Sequence, residues 1–143
     1  MARILLVDEN IVTRTMSRKT LLMAGHTVVD ASGGEDALTV LGSAPFDAIV
    51  LDAAQPDMSV TEAIDRLRAT AGDPPIPIIE MADAELDSTT LAALAGTPTT
   101  RVPKPCTPHE LTDAVARAVA AAEHAPVERI RLPDAQEMPQ RQP

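Results

Sequence analysis

Aromatic residues are nearly absent from this chain of 143 residues: Phe46 is the only one, and there is no Trp or Tyr. Proteins that bind single-stranded nucleic acid or RNA commonly stack the bases on aromatic rings, which this chain cannot supply. The formal net charge of -9 adds repulsion from phosphate backbones. Direct nucleic-acid binding is therefore not expected.

Cysteine is also scarce. Cys106 is the single cysteine, which excludes an internal disulfide and a cysteine metal cluster. The first apolar run, Ile4–Val7, follows the N-terminus at once and is too short for a signal peptide or a membrane span. We therefore expect a cytoplasmic protein that does not bind a membrane.

Short apolar runs alternate with segments of helical spacing along most of the chain. The predicted strands are Arg3–Val7, Thr27–Ala31, Phe46–Leu51, Ile76–Met81 and Thr99–Pro103. The predicted helices are Ile11–Ala24, Gly33–Leu41, Val60–Ala69, Ala84–Ala95 and a last one that runs to about Ala122. Five strands that alternate with five helices predict an α/β domain, with a parallel sheet covered on both faces.

Helix ends and faces carry further signals. In the first helix, Ile11, Met16, Leu21 and Leu22 can share one apolar face, and Gly25 suits its C-terminal stop. Three Ser/Thr residues stand three positions before a Glu, as in a capping box: Ser32 with Glu35, Ser59 with Glu62, and Thr107 with Glu110.

The last part of the chain differs from the rest. Residues 1–124 make up the predicted domain, and residues 125–143 are rich in Pro and Gln, with three Arg balanced by three acidic residues. This composition is typical of a tail or linker and not of a second domain.

Charged residues stand at the C-terminal ends of three predicted strands. Asp8 and Glu9 follow the first, Asp52 follows the third, and Lys104 follows the fifth. The C-terminal ends of parallel strands lie along one edge, where open α/β sheets place their sites. Asp8 and Glu9 can bind Mg²⁺, with Asp52 as a third ligand. Asp52 can also act as the nucleophile, while Lys104 neutralises a phosphate oxygen. The pattern favours phosphoryl transfer, which depends mostly on positioning and charge neutralisation.

The chain resembles the receiver domains of bacterial two-component response regulators over about residues 2–122. The matching motifs occur in family order: Ile4–Glu9, Asp47–Asp52, Pro56-x-Met58, Pro77–Ile79 and Lys104-Pro105. The resemblance implies a flavodoxin-like (βα)₅ fold, doubly wound around five parallel strands. It also implies a cis Lys104–Pro105 bond.

The resemblance further implies a role for each charged residue. Asp52 is the implied phosphoacceptor, and Lys104 contacts the phosphoryl group. Mg²⁺ is held by Glu9, Asp52 and the backbone carbonyl of Ala54, with Asp8 close by through water. The implied phosphodonor is a sensor histidine kinase or a histidine phosphotransfer protein.

The family pattern is broken at three positions. Ala82 stands where the family has a Thr or Ser hydroxyl, and Arg101 stands at its switch aromatic. An Arg there either stays exposed or pairs with an acidic neighbour. A Gly of the loop after the phosphoacceptor is replaced by the β-branched Val60, which predicts a different loop path.

The favoured hypothesis is a single-domain receiver, not an enzyme, that is phosphorylated on Asp52 and acts through a downstream protein target. We expect a monomer or weak dimer. The alternative is a degenerate receiver that binds a partner whether or not it is phosphorylated. A flavin or nucleotide protein is disfavoured, since Asp8-Glu9-Asn10 stands where a Gly-rich phosphate loop would be.

Overall fold

The computed structural model describes residues 1–54, 57–71, 76–82 and 99–123. Within them, five strands form one parallel sheet in the order β2-β1-β3-β4-β5. The strands are β1 (Arg3–Val7), β2 (Thr27–Ala31), β3 (Ala48–Asp52), β4 (Ile78–Ala82) and β5 (Thr99–Pro103). This is the doubly wound, flavodoxin-like sheet that the sequence predicts.

Helices cover both faces of the sheet. Those in the described residues are α1 (Ile11–Met23), α2 (Gly34–Leu41), α3 (Val60–Ala71) and α4 (Pro108–Glu123). Buried side chains of α1 and α4 pack in one core cluster, and those of α2 and α3 pack in the other. The predicted helix Ala84–Ala95 and the tail 125–143 lie outside the described residues. No helix in the described part of the chain combines the length and apolar character needed to cross a membrane.

The strand bounds match the sequence prediction for β1, β2 and β5, and are shifted by two residues at the start of β3 and β4. Phe46 precedes β3 and is buried, with the Arg3 guanidinium 5.0 Å from the centre of its ring. Ladder pairing with β1 begins only at Ala48, opposite Ile4. Apolar burial therefore starts before strand pairing, which is why the apolar run overestimates the strand.

The predicted apolar face of α1 is wrong. Of its four members Leu21 is buried, whereas Ile11, Met16 and Leu22 are exposed. The helix is rotated by polar contacts at its start: Arg14 donates to the Asp8 carbonyl at 2.8 Å and lies 3.5 Å from the Asp30 carboxylate. These contacts turn a more polar side of α1 toward the sheet. Gly25 does end the helix, with φ of +94°.

The predicted capping box of Ser32 and Glu35 is also wrong. Gly33 is the N-cap of α2, and no side chain of that residue is available to cap. The carboxylate of Asp57 instead accepts from the backbone N–H groups of Gly34 and Glu35, at 3.2 and 3.0 Å. The α2 N-terminus is thus capped by a residue of the loop that follows β3, which no local pattern could reveal.

The other two capping signals are confirmed in part or in full. The Ser59 hydroxyl accepts from the Glu62 N–H at 3.1 Å. Thr107 and Glu110 form the complete reciprocal pair, with the Thr107 N–H donating to the Glu110 carboxylate at 2.7 Å. Both caps are local in sequence, so the residue spacing sufficed to predict them.

The contact between α2 and the β3–α3 loop leaves little space at Gly34. A Cβ there would lie 2.6 Å from both the sulfur and the methyl carbon of the buried Met58. We expect Gly34→Ala to lower the free energy of unfolding by about 1–3 kcal/mol through overpacking. Urea unfolding followed by circular dichroism measures this change.

Gly42→Ala is the matched control, because a Cβ there meets only ordinary contacts, the nearest at 3.5 Å, and φ is -73°. That variant should keep or gain stability, by up to about 1 kcal/mol. Equal stability of the two variants would contradict the close packing at Gly34.

Candidate functional site

The C-terminal edge of the sheet brings together Asp8, Asp52 and Lys104. Asp52 is the last residue of β3, and Asp8 and Lys104 directly follow β1 and β5. Because Val7 pairs with Leu51 in the β1–β3 ladder, Asp8 and Asp52 stand at the same level on neighbouring strands. The strand-end prediction is confirmed for these three side chains.

Asp8 is almost fully buried, with 1% of its surface exposed. One carboxylate oxygen accepts from the Asn10 N–H at 2.9 Å, and the other accepts from the Thr13 hydroxyl at 2.6 Å. The Asp8 N–H donates to the Ala31 carbonyl at 3.0 Å. Both the backbone and the side chain of Asp8 are therefore fixed.

Asp8 and Asp52 form an acid pair, because both are buried and they stand side by side at the ends of neighbouring strands. Burial raises the pKa of Asp8 above its ordinary value, and the bonds from Thr13 and Asn10 act in the opposite direction. The negative charge of Asp52 raises the pKa of Asp8 further. Two adjacent buried carboxylates repel each other unless a proton or a cation lies near them.

Lys104 supplies one positive charge to this edge. Its Nζ lies 2.8 Å from Oδ1 of Asp52, which is 5% exposed. The Ala54 N–H donates to the same oxygen at 3.0 Å. These two donors fix the orientation of the Asp52 carboxylate. The Lys104–Pro105 peptide bond is cis, as the resemblance implied.

Glu9, the third predicted carboxylate, is exposed and is not part of the buried acid pair. Among the described residues, no group of three or more His, Cys, Asp or Glu side chains is placed to hold a metal ion. Mg²⁺ nevertheless often binds through one or two carboxylates and retains several waters. Two buried carboxylates on neighbouring strand ends provide that donor set and gain from a cation, so the residues fit Mg²⁺.

A cavity of about 440 Å³ opens beside the acid pair, between α1 and α4. Asp8, Thr13 and Lys104 form its polar end, and its apolar lining includes Met16, Met81 and Leu111. Cys106 also lines it, and burial raises the pKa of that thiol, which favours the uncharged form. Cys106 therefore acts here as a small, uncharged residue of the lining.

The family model for the response regulator receiver domain matches residues 4–116. The chain belongs to the receiver domain family. Response regulator MprA of Mycolicibacterium vanbaalenii is 34% identical over 109 residues, which are 76% of this chain and 46% of that protein. This receiver chain therefore spans about half the length of the curated relative.

Solved receiver structures share the fold. The chemotaxis protein CheY4 of Vibrio cholerae has a TM-score of 0.70 and 30% identity, over 82% of this chain and 98% of that one. The receiver domain of sensor histidine kinase PA1611 from Pseudomonas aeruginosa has a TM-score of 0.73 and 27% identity, over 83% and 98%. The latter structure has a magnesium ion coordinated in its active site cleft.

The two positions at which the sequence departs from the family's switch residues lie in β4 and β5. Ala82 ends β4 and is buried, and its carbonyl accepts from the Lys104 N–H at 2.8 Å. Arg101 is exposed, as one of the two sequence alternatives had it. No ion pair of Arg101 is formed within the described residues.

Glu80 is the residue that sequence reasoning missed. It is fully buried in β4 between Leu51 of β3 and Arg101 of β5, and within the described residues neither carboxylate oxygen has a hydrogen-bond partner. Burial raises the pKa of Glu80, and the positive charge of Arg101 acts against this rise. The signal was present in the sequence as a Glu inside the apolar run Ile78–Ala82.

Because the pKa of Glu80 is raised in the folded state, the charged form destabilises the fold as the pH rises through that pKa. We expect Glu80→Leu to raise the free energy of unfolding by about 1–3 kcal/mol at neutral pH, since both unsatisfied oxygens are removed. The gain should shrink as the pH falls and the wild-type carboxyl becomes protonated. Denaturant unfolding at several pH values measures both effects.

Glu62→Leu makes the same exchange at an exposed position of α3 and should change stability by less than about 0.5 kcal/mol. A loss of stability in Glu80→Leu at neutral pH would show that the carboxylate has a stabilising partner.

Proposed function

We propose that this receiver accepts a phosphoryl group on Asp52 in a Mg²⁺-dependent reaction and passes the signal on by contact with a downstream protein. The observation that carries the proposal is the Asp52 carboxylate, buried beside Asp8 and held by Lys104 at 2.8 Å. The donor class is a phosphohistidine, on a sensor histidine kinase or a histidine phosphotransfer protein. Cytoplasmic location and a monomer or weak dimer belong to the same proposal.

In the proposed reaction an Asp52 carboxylate oxygen attacks the phosphorus atom of the donor phosphohistidine. The new O–P bond gives an acyl phosphate, and the N–P bond breaks, so its electron pair stays on the imidazole, which is then protonated. The metal would neutralise negative charge on the phosphoryl oxygens as nucleophile and phosphate approach each other. The Glu9 side chain and the Ala54 carbonyl remain proposed ligands, beside Asp8 and Asp52.

Lys104 and the Ala54 N–H orient the nucleophile. Both donate to Oδ1 of Asp52, at 2.8 and 3.0 Å, which holds the carboxylate plane before the donor arrives. As the acyl phosphate forms, the Lys104 ammonium is close enough to neutralise an incoming phosphoryl oxygen as a point charge. Lys104 therefore serves both the resting and the phosphorylated site in this proposal.

The readout is proposed to involve the loop after Asp52, since Ala82 has no hydroxyl and Arg101 no apolar ring. Asp57 of that loop caps α2, and Met58 packs against Gly34. A phosphoryl group that displaces the loop would loosen these contacts and change the surface at the start of α2. This route needs neither of the two missing switch side chains.

Incubation with acetyl phosphate and Mg²⁺ tests phosphorylation directly. Intact-mass measurement should show the gain of one phosphoryl group in the wild type and none in Asp52→Asn. Asp47→Asn is the matched control, because Asp47 precedes β3 at the opposite end of the strand and its carboxylate accepts from the Arg3 N–H. That control should be phosphorylated like the wild type.

No mass gain in the wild type, with either acetyl phosphate or a phosphorylated histidine donor, would contradict the proposal. It would favour the degenerate receiver, a module that binds its partner in the same way with or without Asp52. Partner binding that is equal for the wild type and Asp52→Ala would support that alternative.

A further inference from the structure

Thr13 makes the shortest hydrogen bond to the acid pair in the described residues. Its hydroxyl donates to Oδ2 of Asp8 at 2.6 Å. A second acceptor, the Asn10 carbonyl, lies 3.3 Å from the same hydroxyl within the first turn of α1. The shorter distance and the negative charge of the carboxylate favour the bond to Asp8, because hydrogen bonds to ionised groups are the stronger ones.

The first turn of α1 is anchored so that Thr13 faces Asp8. The Asn10 side chain caps the helix by accepting from the N–H groups of Val12 and Thr13, at 2.9 and 3.1 Å. Arg14, the next residue, donates to the Asp8 carbonyl at 2.8 Å and pairs with Asp30 of β2. The first turn of α1 therefore forms hydrogen bonds with both the backbone and the carboxylate of Asp8.

These hydrogen bonds oppose the electrostatic repulsion between Asp8 and Asp52. Asp8 and Asp52 are both buried at the ends of neighbouring strands, and like charges placed side by side favour separation. A carboxylate with a free side-chain torsion would rotate away from Asp52. With one oxygen bonded to the Asn10 N–H and the other to the Thr13 hydroxyl, Asp8 stays beside Asp52.

We infer that Thr13 is a positioning residue, which holds Asp8 against Asp52 so that the pair is ready for a divalent cation. The inference rests on the proposed Mg²⁺-dependent function. Partners of metal ligands commonly set ligand orientation, and their loss costs metal affinity although they never touch the ion. Folding already places the two carboxylates side by side against their repulsion. Cation binding then requires less reorganisation of their side chains.

Thr13→Val and Thr13→Ala test this, since both remove the hydroxyl and only one keeps the side-chain shape. Each should weaken Mg²⁺ binding about tenfold. Thr13→Ser restores the hydroxyl and should restore most of the affinity. Thr15→Val makes the same exchange at an exposed position of α1 and should bind Mg²⁺ like the wild type.

The measurement is a Mg²⁺ titration followed by amide chemical shifts in NMR spectra. The N–H groups of Asn10 and Ala54 donate to Asp8 and Asp52, so they report on the two carboxylates directly. Phosphorylation by acetyl phosphate should slow in Thr13→Val at low Mg²⁺ and recover at saturating Mg²⁺. A purely structural role would instead lower the thermal unfolding midpoint and leave the Mg²⁺ dependence unchanged.

The outcomes separate the two proposals. Wild-type binding of Mg²⁺ with unchanged affinity in Thr13→Val and Thr13→Ala would overturn the positioning role and leave the proposed function intact. No Mg²⁺ binding and no phosphorylation in the wild type would overturn the proposed function, and with it the role of Thr13. A loss in both variants that Thr13→Ser reverses would establish the inference.

Discussion

The repulsion between two buried carboxylates, Asp8 and Asp52, is the constraint around which this edge of the sheet is arranged. Water screens this repulsion little, since only 1% of the surface of Asp8 and 5% of that of Asp52 is exposed. The contacts near them can each be understood as a response. Lys104 brings a positive charge to Asp52, and the first turn of α1 fixes Asp8 through Asn10 and Thr13. A site that keeps this repulsion at rest is suited to bind a cation.

The pairing of the strands places Asp8 and Asp52 side by side. β1 and β3 are neighbours in the sheet, and their ladder pairs Val7 with Leu51, so the next residue on each strand carries an acid at the same height. Both strands are buried on each side by apolar clusters, and a one-residue shift of either strand would exchange the side chains that face each cluster. The strong apolar burial of β1 and β3 thus holds the acid pair together.

Much of this was accessible from the sequence, because it depends on local pattern. The strands β1, β2 and β5, the caps at Ser59 and Thr107, and the meeting of Asp8, Asp52 and Lys104 follow from periodicity, spacing and the rule for parallel strand ends. The failures concern contacts between distant residues. The face of α1 is set by Arg14 reaching Asp30, and the α2 cap comes from Asp57, twenty-three residues after Gly34. The sequence of α1 alone does not reveal the contact with Asp30, and the sequence of α2 alone does not reveal the cap from Asp57.

The same distinction explains why the chemistry of this receiver is easier to derive than its readout. Phosphoryl chemistry needs charges at fixed strand ends, and these are present. A readout needs a structural element with two arrangements, in which some contacts form in one state and break in the other. Ala82 and Arg101 offer no such pair of contacts in the described structure, whereas Asp57 and Met58 join the segment before α3 to the start of α2. These contacts begin five residues after Asp52, and they place the start of α2 beside the residues that lead into α3.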